Sequence, residues 1–264
     1  MLYPFRLGTT SYIIPADILP NVRYLADKVQ DVELVLFEVD DGPNNLPSVE
    51  VINELITLAD QHALTYTVHL PLDLRLGANG DEQHVSLLKA LKVINCTRAL
   101  QPWAYVLHLD GREVKDNPTP DALHQWQIHT RRALELVAEW VGGFDRLAVE
   151  NLETYPLDFI APVIDQLPVG RCVDIGHLWL DGHDPVPYLH EALPRTRVIH
   201  LHGLAERDHK SLAHMPREKI DAVLAFLLHA KYAGVLTLEI FGEEDFHSSL
   251  AVLEESARSI WANA

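Results

Sequence analysis

The sequence predicts an α/β fold, a single (β/α)₈ TIM barrel over residues 1–264, and three observations carry it. Short β-branched or aromatic runs recur along the chain (VELVLFE, TYTVH, WAYVLH, RLAVE, RCVDIGH, RVIHLH, VLTLE), each separated from the next by one helix-length segment. Nearly every run ends on an acid or a histidine: Glu38, His69, His108, Glu150, Asp174 with His177, His200 with His202, and Glu239. From His69 to Glu239 these strand-end residues lie 24 to 42 positions apart, the length of a βα unit. A doubly wound open sheet also alternates strand and helix, but it gathers its site at one switch point rather than after almost every strand.

The elements follow in order. A strand over 6–13 leads to a helix near 16–29, whose apolar residues recur at helical spacing. Strand 32–39 runs into the turn-rich loop DDGPNNLPS, and Pro47-Ser48 opens a helix over 49–63. Strand 65–72 is followed by a helix over 81–99, then by strand 104–111 and the longer loop REVKDNPTP. Thr119-Pro120-Asp121 starts a helix over 121–140, which Gly142-Gly143 closes. Strand 145–151, a helix over 156–167 and a strand over 169–177 come next. The helix VPYLHEALP, strand 197–203, the polar loop LAERDHKSLAHMP and a helix over 217–233 follow. Strand 235–241 and a last helix from about 244 to 262 complete the round.

Composition narrows the function. The net charge of −17 argues against general nucleic-acid binding, which relies on Lys and Arg to displace counterions. The two cysteines, Cys96 and Cys172, form no CxxC pair, so a disulfide framework is not expected and the cytoplasm is the default compartment. No run reaches the roughly 18 apolar residues of a membrane helix. The partner expected is a small molecule, with neither nucleic acid nor membrane. No GxGxxG or GxxxxGK[ST] cradle is present.

Parallel strands are buried on both faces, so an acid within one is costly unless it is paired or bound to metal. Glu150 and Glu239 each follow three or four apolar residues and are candidate ligands and catalytic carboxylates. Asp174 and His177 form DIGH, in which Gly176 lets the backbone turn so that both side chains face one point. His69 and His108 end strands three and four. His200 and His202 are two apart and point the same way; either serves as the ligand, with His202 favoured because it lies nearer the open end. Asp208 and His209 follow strand seven as a further ligand pair, flanked by Arg207 and Lys210, cations suited to a phosphate. Tyr12, past strand one, is placed to touch substrate, and Asp73 and Asp110 to orient histidines.

On the motifs VHLPL, VLHLDG, AVENL, DIGH, HLHG and TLEIF the chain resembles the xylose isomerase-like barrel superfamily over essentially its whole length. That group includes sugar isomerases, epimerases and endonuclease IV-type enzymes. In the isomerases the resemblance implies one divalent ion held by Glu150, Asp174, His202 or His200, and Glu239. In the endonuclease-like branch it implies further zinc ions, with His69, His108 and His177 joining. That branch also carries an Asp-x-His pair after strand seven, whereas this chain reads Asp208-His209 without the spacer. GTTSYIIPADILPNV, ENLETYP, DIGHLWLDG and HLHGLAERDHKSL are similar to the bacterial cobamide-remodelling phosphodiesterases, which open the nucleotide loop of corrinoids.

The mixed nitrogen and oxygen donors suit zinc, and also manganese or cobalt, with two or more ions expected. With two ions about 3.5–4 Å apart, Glu150 or Glu239 would bridge them. The resemblance implies metal-dependent hydrolysis of a corrinoid phosphoester as the expected activity. A sugar or sugar-phosphate isomerase is the competing enzyme, in which Glu150 and Glu239 exchange a proton and His69 and His108 bind hydroxyls. A non-catalytic corrinoid- or sugar-binding barrel is a third reading, and DNA repair the weakest.

Overall fold

The computed structural model describes residues 3–37 and 45–262; Glu38 and residues 40–44 of the loop after it lie outside the described residues. Eight strands close into a barrel in sequence order: β1 (Arg6–Thr10), β2 (Asp31–Val35), β3 (Thr65–His69), β4 (Ala104–Leu107), β5 (Leu147–Glu150), β6 (Gly170–Asp174), β7 (Thr196–Leu201) and β8 (Val235–Leu238). All neighbours are parallel, and β8 pairs back onto β1 with Thr9 opposite Leu238. The helices are α1 (Ile18–Leu25), α2 (Val49–His62), α3 (Val85–Thr97), α4 (Pro120–Val141), α5 (Ala161–Ile164), α6 (Ile175–Leu180), α7 (Pro185–Ala192), α8 (Arg217–His229) and α9 (Glu243–Ala262). None is long and apolar enough to cross a membrane.

The strands stop short of the apolar runs that predict them. The ladder ends where the strands splay at the mouth, while residues such as Leu70, Leu109 and Ile240 continue buried into the loops. Two expectations need correction. The helix over 156–167 shrinks to the single turn of α5, because Pro156 and Pro162 cannot donate to a helical ladder and residues 157–160 fold as turns. The strand over 169–177 ends at Asp174, and the chain enters α6 at once, with Asp174 as its N-cap.

The core has two compartments. The larger lies between the sheet and its helices, and includes Leu34, Val68, Leu107 and Leu236. The smaller fills the lumen with Ala104, Val106, Ala148, Cys172 and Val198. The lumen wall at β2, β3 and β8 is polar instead: Asp31, Glu33, Thr67 and Thr237 are fully buried. At the strands' amino ends the Trp103 ring lies between the guanidinium groups of Arg6 and Arg197, at 4.8 and 4.7 Å, and its indole N–H donates to the Arg197 carbonyl.

The start of α4 matches its sequence signals. Thr119 Oγ1 accepts from Ala122 N at 3.2 Å, Pro120 occupies the first helical position, and Gly142 closes the helix with φ of 92°. Thr119→Ala is expected to lower stability by about 1 kcal/mol in urea denaturation and to leave metal content unchanged, since Thr119 is exposed and offers no ligand atom to the mouth sets.

Candidate metal centre

Side chains alternate faces along a strand, so ladder partners share a face. Asp174 pairs with His200 across β6–β7, which sets both into the lumen at one height. His69, Glu150 and Asp174 are the last residues of β3, β5 and β6, and His108, His202 and Glu239 stand just past β4, β7 and β8. Asp174 Oδ1 accepts from His177 N at 2.6 Å, which fixes the first turn of α6 and carries His177 to the same mouth. Gly176 lies inside that turn and does not supply the backbone reversal expected of it. Its role is space: a Cβ there would stand 2.1 Å from the His202 ring.

Among the described residues four sets of potential ligand atoms result; one, Glu150 with the buried Cys172 and His200, overlaps the first of the three that follow. Glu150, Asp174, His200 and Glu239 each offer one atom within 4.8 Å of the others. His200 Nδ1 lies 3.1 Å from Glu150 Oε1, 3.1 Å from Glu239 Oε2 and 3.9 Å from Asp174 Oδ2. His69, His108 and Glu150 form the second set, with Glu150 Oε2 at 3.4 Å from His69 Nε2 and 3.1 Å from His108 Nε2. Glu150 thus turns one oxygen to each set, the arrangement of a bridging carboxylate. His177, His202 and His209 form the third. It joins the first through Asp174 Oδ1, 3.3 Å from His202 Nε2, and Glu239 Oε2, 3.3 Å from His209 Nε2.

The donor chemistry fits divalent cations. Asp174 Oδ2, His202 Nε2 and Glu239 Oε2 are buried within ion-pair distance of neighbours, yet make no hydrogen bond. Asp174 and Glu239 belong to the first set and His202 to the third, so both sets hold a buried polar atom left without a hydrogen bond. Burial opposes ionisation of Glu150 and Glu239, but His200 and other histidines outweigh it and hold both carboxyls well below their usual range. Burial likewise disfavours the imidazolium of His108, and Glu150 with Asp73 overcomes it, lifting the group to about 10. His209 rises to about 9 against the same penalty, through Glu239 and Asp208.

The other predicted residues divide. Asp73 orients a histidine as expected, lying 3.2 Å from His108 Nδ1. Asp110 does not; it holds the Arg112 guanidinium by two bonds of 2.9 and 2.7 Å and accepts from the Arg112 backbone N–H at 3.2 Å. Both histidines meet the acids: His200, inside β7 at the height of Asp174, lies within the four-residue set, and the favoured His202, past the ladder's end, meets Asp174 Oδ1 from the third set. Asp208 stands 3.1 Å from His209 Nδ1, as a support for that ring. Tyr12 is half-buried, its hydroxyl against the Asn45 amide and its ring 5.8 Å from Phe37. Arg207 is exposed, and Lys210 is drawn to Glu206 at 3.3 Å and Asp245 at 3.5 Å.

The mouth cavity, about 490 Å³, is lined instead by Arg112 and Lys115 from the β4–α4 connection, beside His108, Glu150, His177 and His209. Lys115 Nζ donates to the carbonyl and hydroxyl of Thr154, both at 3.1 Å. REVKDNPTP shows those cations, but nothing in a lone sequence says that this loop folds inward. Glu33 is a further unpredicted participant, 2.9 Å from His200 Nε2; its signal is an acid amid the apolar residues of DVELV. Four exposed apolar side chains, Phe37, Leu72, Leu157 and Phe241, follow β2, β3, β5 and β8, and Phe241 stands 5.6 Å from the His209 ring.

The sequence model of the family described as xylose isomerase-like TIM barrel matches residues 27–261. Among solved structures, a D-tagatose 3-epimerase-like protein shares the fold with a TM-score of 0.77 at 18% identity, over 98% of this chain and 99% of that one. An L-ribulose 3-epimerase matches with a TM-score of 0.66 at 16% identity, over 98% of both chains. Endonuclease IV from Thermus thermophilus matches with a TM-score of 0.67 at 17% identity, over 96% of this chain and 99% of that one. No curated protein matches the chain at the sequence level.

Two outcomes follow from this geometry. In metal-free protein His108 and His209 keep their protons to about 10 and about 9, against about 6.5 when unfolded. Their contribution to stability is full below pH 6.5 and is lost as pH rises through 9 and 10. Metal binding requires neutral imidazole, so its affinity moves the other way. Between pH 6.5 and 9 the melting temperature of chelator-treated protein is expected to fall while the increment from added zinc grows; a flat metal-free profile would contradict these pairings. Gly176→Ala drives a methyl into the His202 ring and is expected to cost about 1–3 kcal/mol in denaturant titration.

Proposed function

The chain belongs to the xylose isomerase-like TIM barrel family, and from that premise we propose that it is a metal-dependent hydrolase of a phosphate ester. The observation that carries this reading is the pair of histidine-rich donor sets, His69–His108 and His177–His202–His209, placed around the four-residue set that a one-ion isomerase needs. When bound, divalent ions there supply Lewis acidity toward a phosphoryl oxygen and acidify water to a pKa near about 7. Zinc suits this mixture of imidazole and carboxylate, with manganese and cobalt as alternatives.

The chain's own residues then have distinct tasks. Glu150 holds two sets in register through its two oxygens, and Glu239 links the first set to the third. Arg112 and Lys115 place positive charge on the cavity wall, where the anionic group of a substrate would lie. Phe37, Leu72, Leu157 and Phe241 offer apolar contact to a bulky substrate body. The nucleotide loop of a cobamide combines a phosphodiester with a large ring, and the segments ENLETYP and DIGHLWLDG favour that substrate by their resemblance. The net charge of −17 opposes a nucleic-acid substrate, and the likeness to an endonuclease is one of fold. We place this activity in the cytoplasm.

A sugar isomerase or epimerase is the second reading, and the comparisons weigh toward it, through the epimerase-like folds and the complete four-residue set. In it Glu150 and Glu239 exchange a proton beside a sugar carbonyl, while His69 and His108 bind hydroxyls.

The test is to incubate zinc- or manganese-supplemented protein with a complete cobamide and, separately, with a ketose, and to count bound metal. Two or more ions per chain and cleavage of the cobamide alone are expected; one ion with turnover of the ketose would replace the hydrolase by the isomerase. Glu150→Gln is expected to lower turnover by more than about 100-fold and to reduce the metal count, because it disturbs two donor sets at once.

A further inference from the structure

Six histidines surround the mouth. His69, His108, His202 and His209 turn Nε2 toward Glu150, Asp174 or Glu239, and their Nδ1 atoms lie near the Leu70 carbonyl at 2.9 Å, Asp73 at 3.2 Å, the Gly203 carbonyl at 3.3 Å and Asp208 at 3.1 Å. His177 is intermediate: its Nδ1 lies 3.1 Å from the Asn151 carbonyl but also 3.5 Å from Asp174 Oδ2 and 3.9 Å from Glu150 Oε1. His200 is reversed. Its Nδ1 faces Glu150, Glu239 and Asp174, and its Nε2 points across the lumen.

The reversal changes what the fold must supply. Nδ1 is next to the backbone, so nearby groups can satisfy it. Nε2 is the far atom of the ring, and on a lumen-facing strand its partner has to come from another strand. Glu33 on β2 meets that need: Oε2 lies 2.9 Å from His200 Nε2, and both residues are fully buried. Its Oε1 has no hydrogen-bond partner among the described residues, so local packing does not account for burying this acid between Val32 and Leu34.

We propose that Glu33 is a positioning residue that keeps the His200 proton on Nε2 and so presents the Nδ1 lone pair to the carboxylate set. A neutral imidazole carries its proton on one nitrogen, and the hydrogen bond made by that nitrogen selects the tautomer. Without Glu33 the proton can move to Nδ1 and donate to Glu150 or Glu239, closing the ligand set with an internal hydrogen bond. The role rests on the reading of that set as a metal site and adds the residue that keeps it open to a cation.

Glu33→Gln keeps an acceptor without its charge, whereas Glu33→Met removes the acceptor at similar length. Zinc affinity by chelator competition is expected to fall by roughly 10- to 100-fold in Glu33→Met and by less than about 10-fold in Glu33→Gln, the range for partners that orient ligands. The visible spectrum of the cobalt-loaded protein is expected to change in Glu33→Met and to persist in Glu33→Gln. In zinc-loaded wild type, proton–nitrogen NMR of histidine is expected to find His200 protonated on Nε2. Unchanged zinc affinity and cobalt spectrum in Glu33→Met, or a His200 proton on Nδ1, overturns the assignment while leaving the metal site intact. Wild-type protein that takes up no zinc or cobalt overturns the metal reading itself, and the Glu33 role with it.

Discussion

Glu33, Glu150, Asp174 and Glu239 are gathered inside the mouth of a closed barrel, 0%, 1%, 0% and 7% exposed, where the contacting counter-charges are imidazoles. Like charges brought this close out of water repel strongly, and the cost of desolvating them exceeds what neutral hydrogen bonds return. That constraint orders the rest of the mouth. It draws the histidines inward, holds the Glu150 and Glu239 carboxyls well below their usual range and keeps His108 and His209 protonated when no metal neutralises the acids. A folded chain tolerates such a concentration of negative charge only with cations in its midst, either protons or metal ions.

Much of this was legible in the sequence because strands buried on both faces make polar residues conspicuous. The runs TYTVH and RLAVE end on His69 and Glu150 as β3 and β5 do, whereas RCVDIGH reads three residues past the end of β6 at Asp174; the barrel order follows from the spacing of these residues. Depth was less legible than facing. His200 and His202 share a direction, and only the β6–β7 register shows that His200 reaches the height of Asp174. Glu33 stayed hidden for the same reason: its position is interior to a strand, and its partner is 167 residues away on the far wall. Asp110 and Arg112 bond to each other within one loop, a local preference that an i, i+2 acid–base pair conceals. The Gly176 requirement involves the distant His202 ring, so the glycine in DIGH reads as a turn until the two are seen together.

The family's fold is compatible with several chemistries, and the fold similarity to epimerase-named proteins and an endonuclease alike reflects that breadth. What separates the readings is the surplus of histidines on β3, β4, α6 and the β7–α8 connection. An isomerase can use such residues as hydroxyl contacts, whereas the hydrolase proposed above uses their clustering with shared carboxylates as sets of ligands. On that proposal, the apolar side chains and the two cations of the cavity wall suit a substrate with a broad body and a charged junction.

The passage from β6 to α6 without a loop has a consequence for how such a barrel diversifies. Asp174 is at once the last strand residue, the helix cap and a member of the acidic set, so an insertion at that point would separate three roles that now sit in one side chain. The connection between β4 and α4 spans residues 108–119, and that between β7 and α8 spans residues 202–216; both can lengthen or shorten with fewer of these ties. New specificities within this lineage would therefore arise by remodelling those two connections, while the β6–α6 junction stays fixed in length.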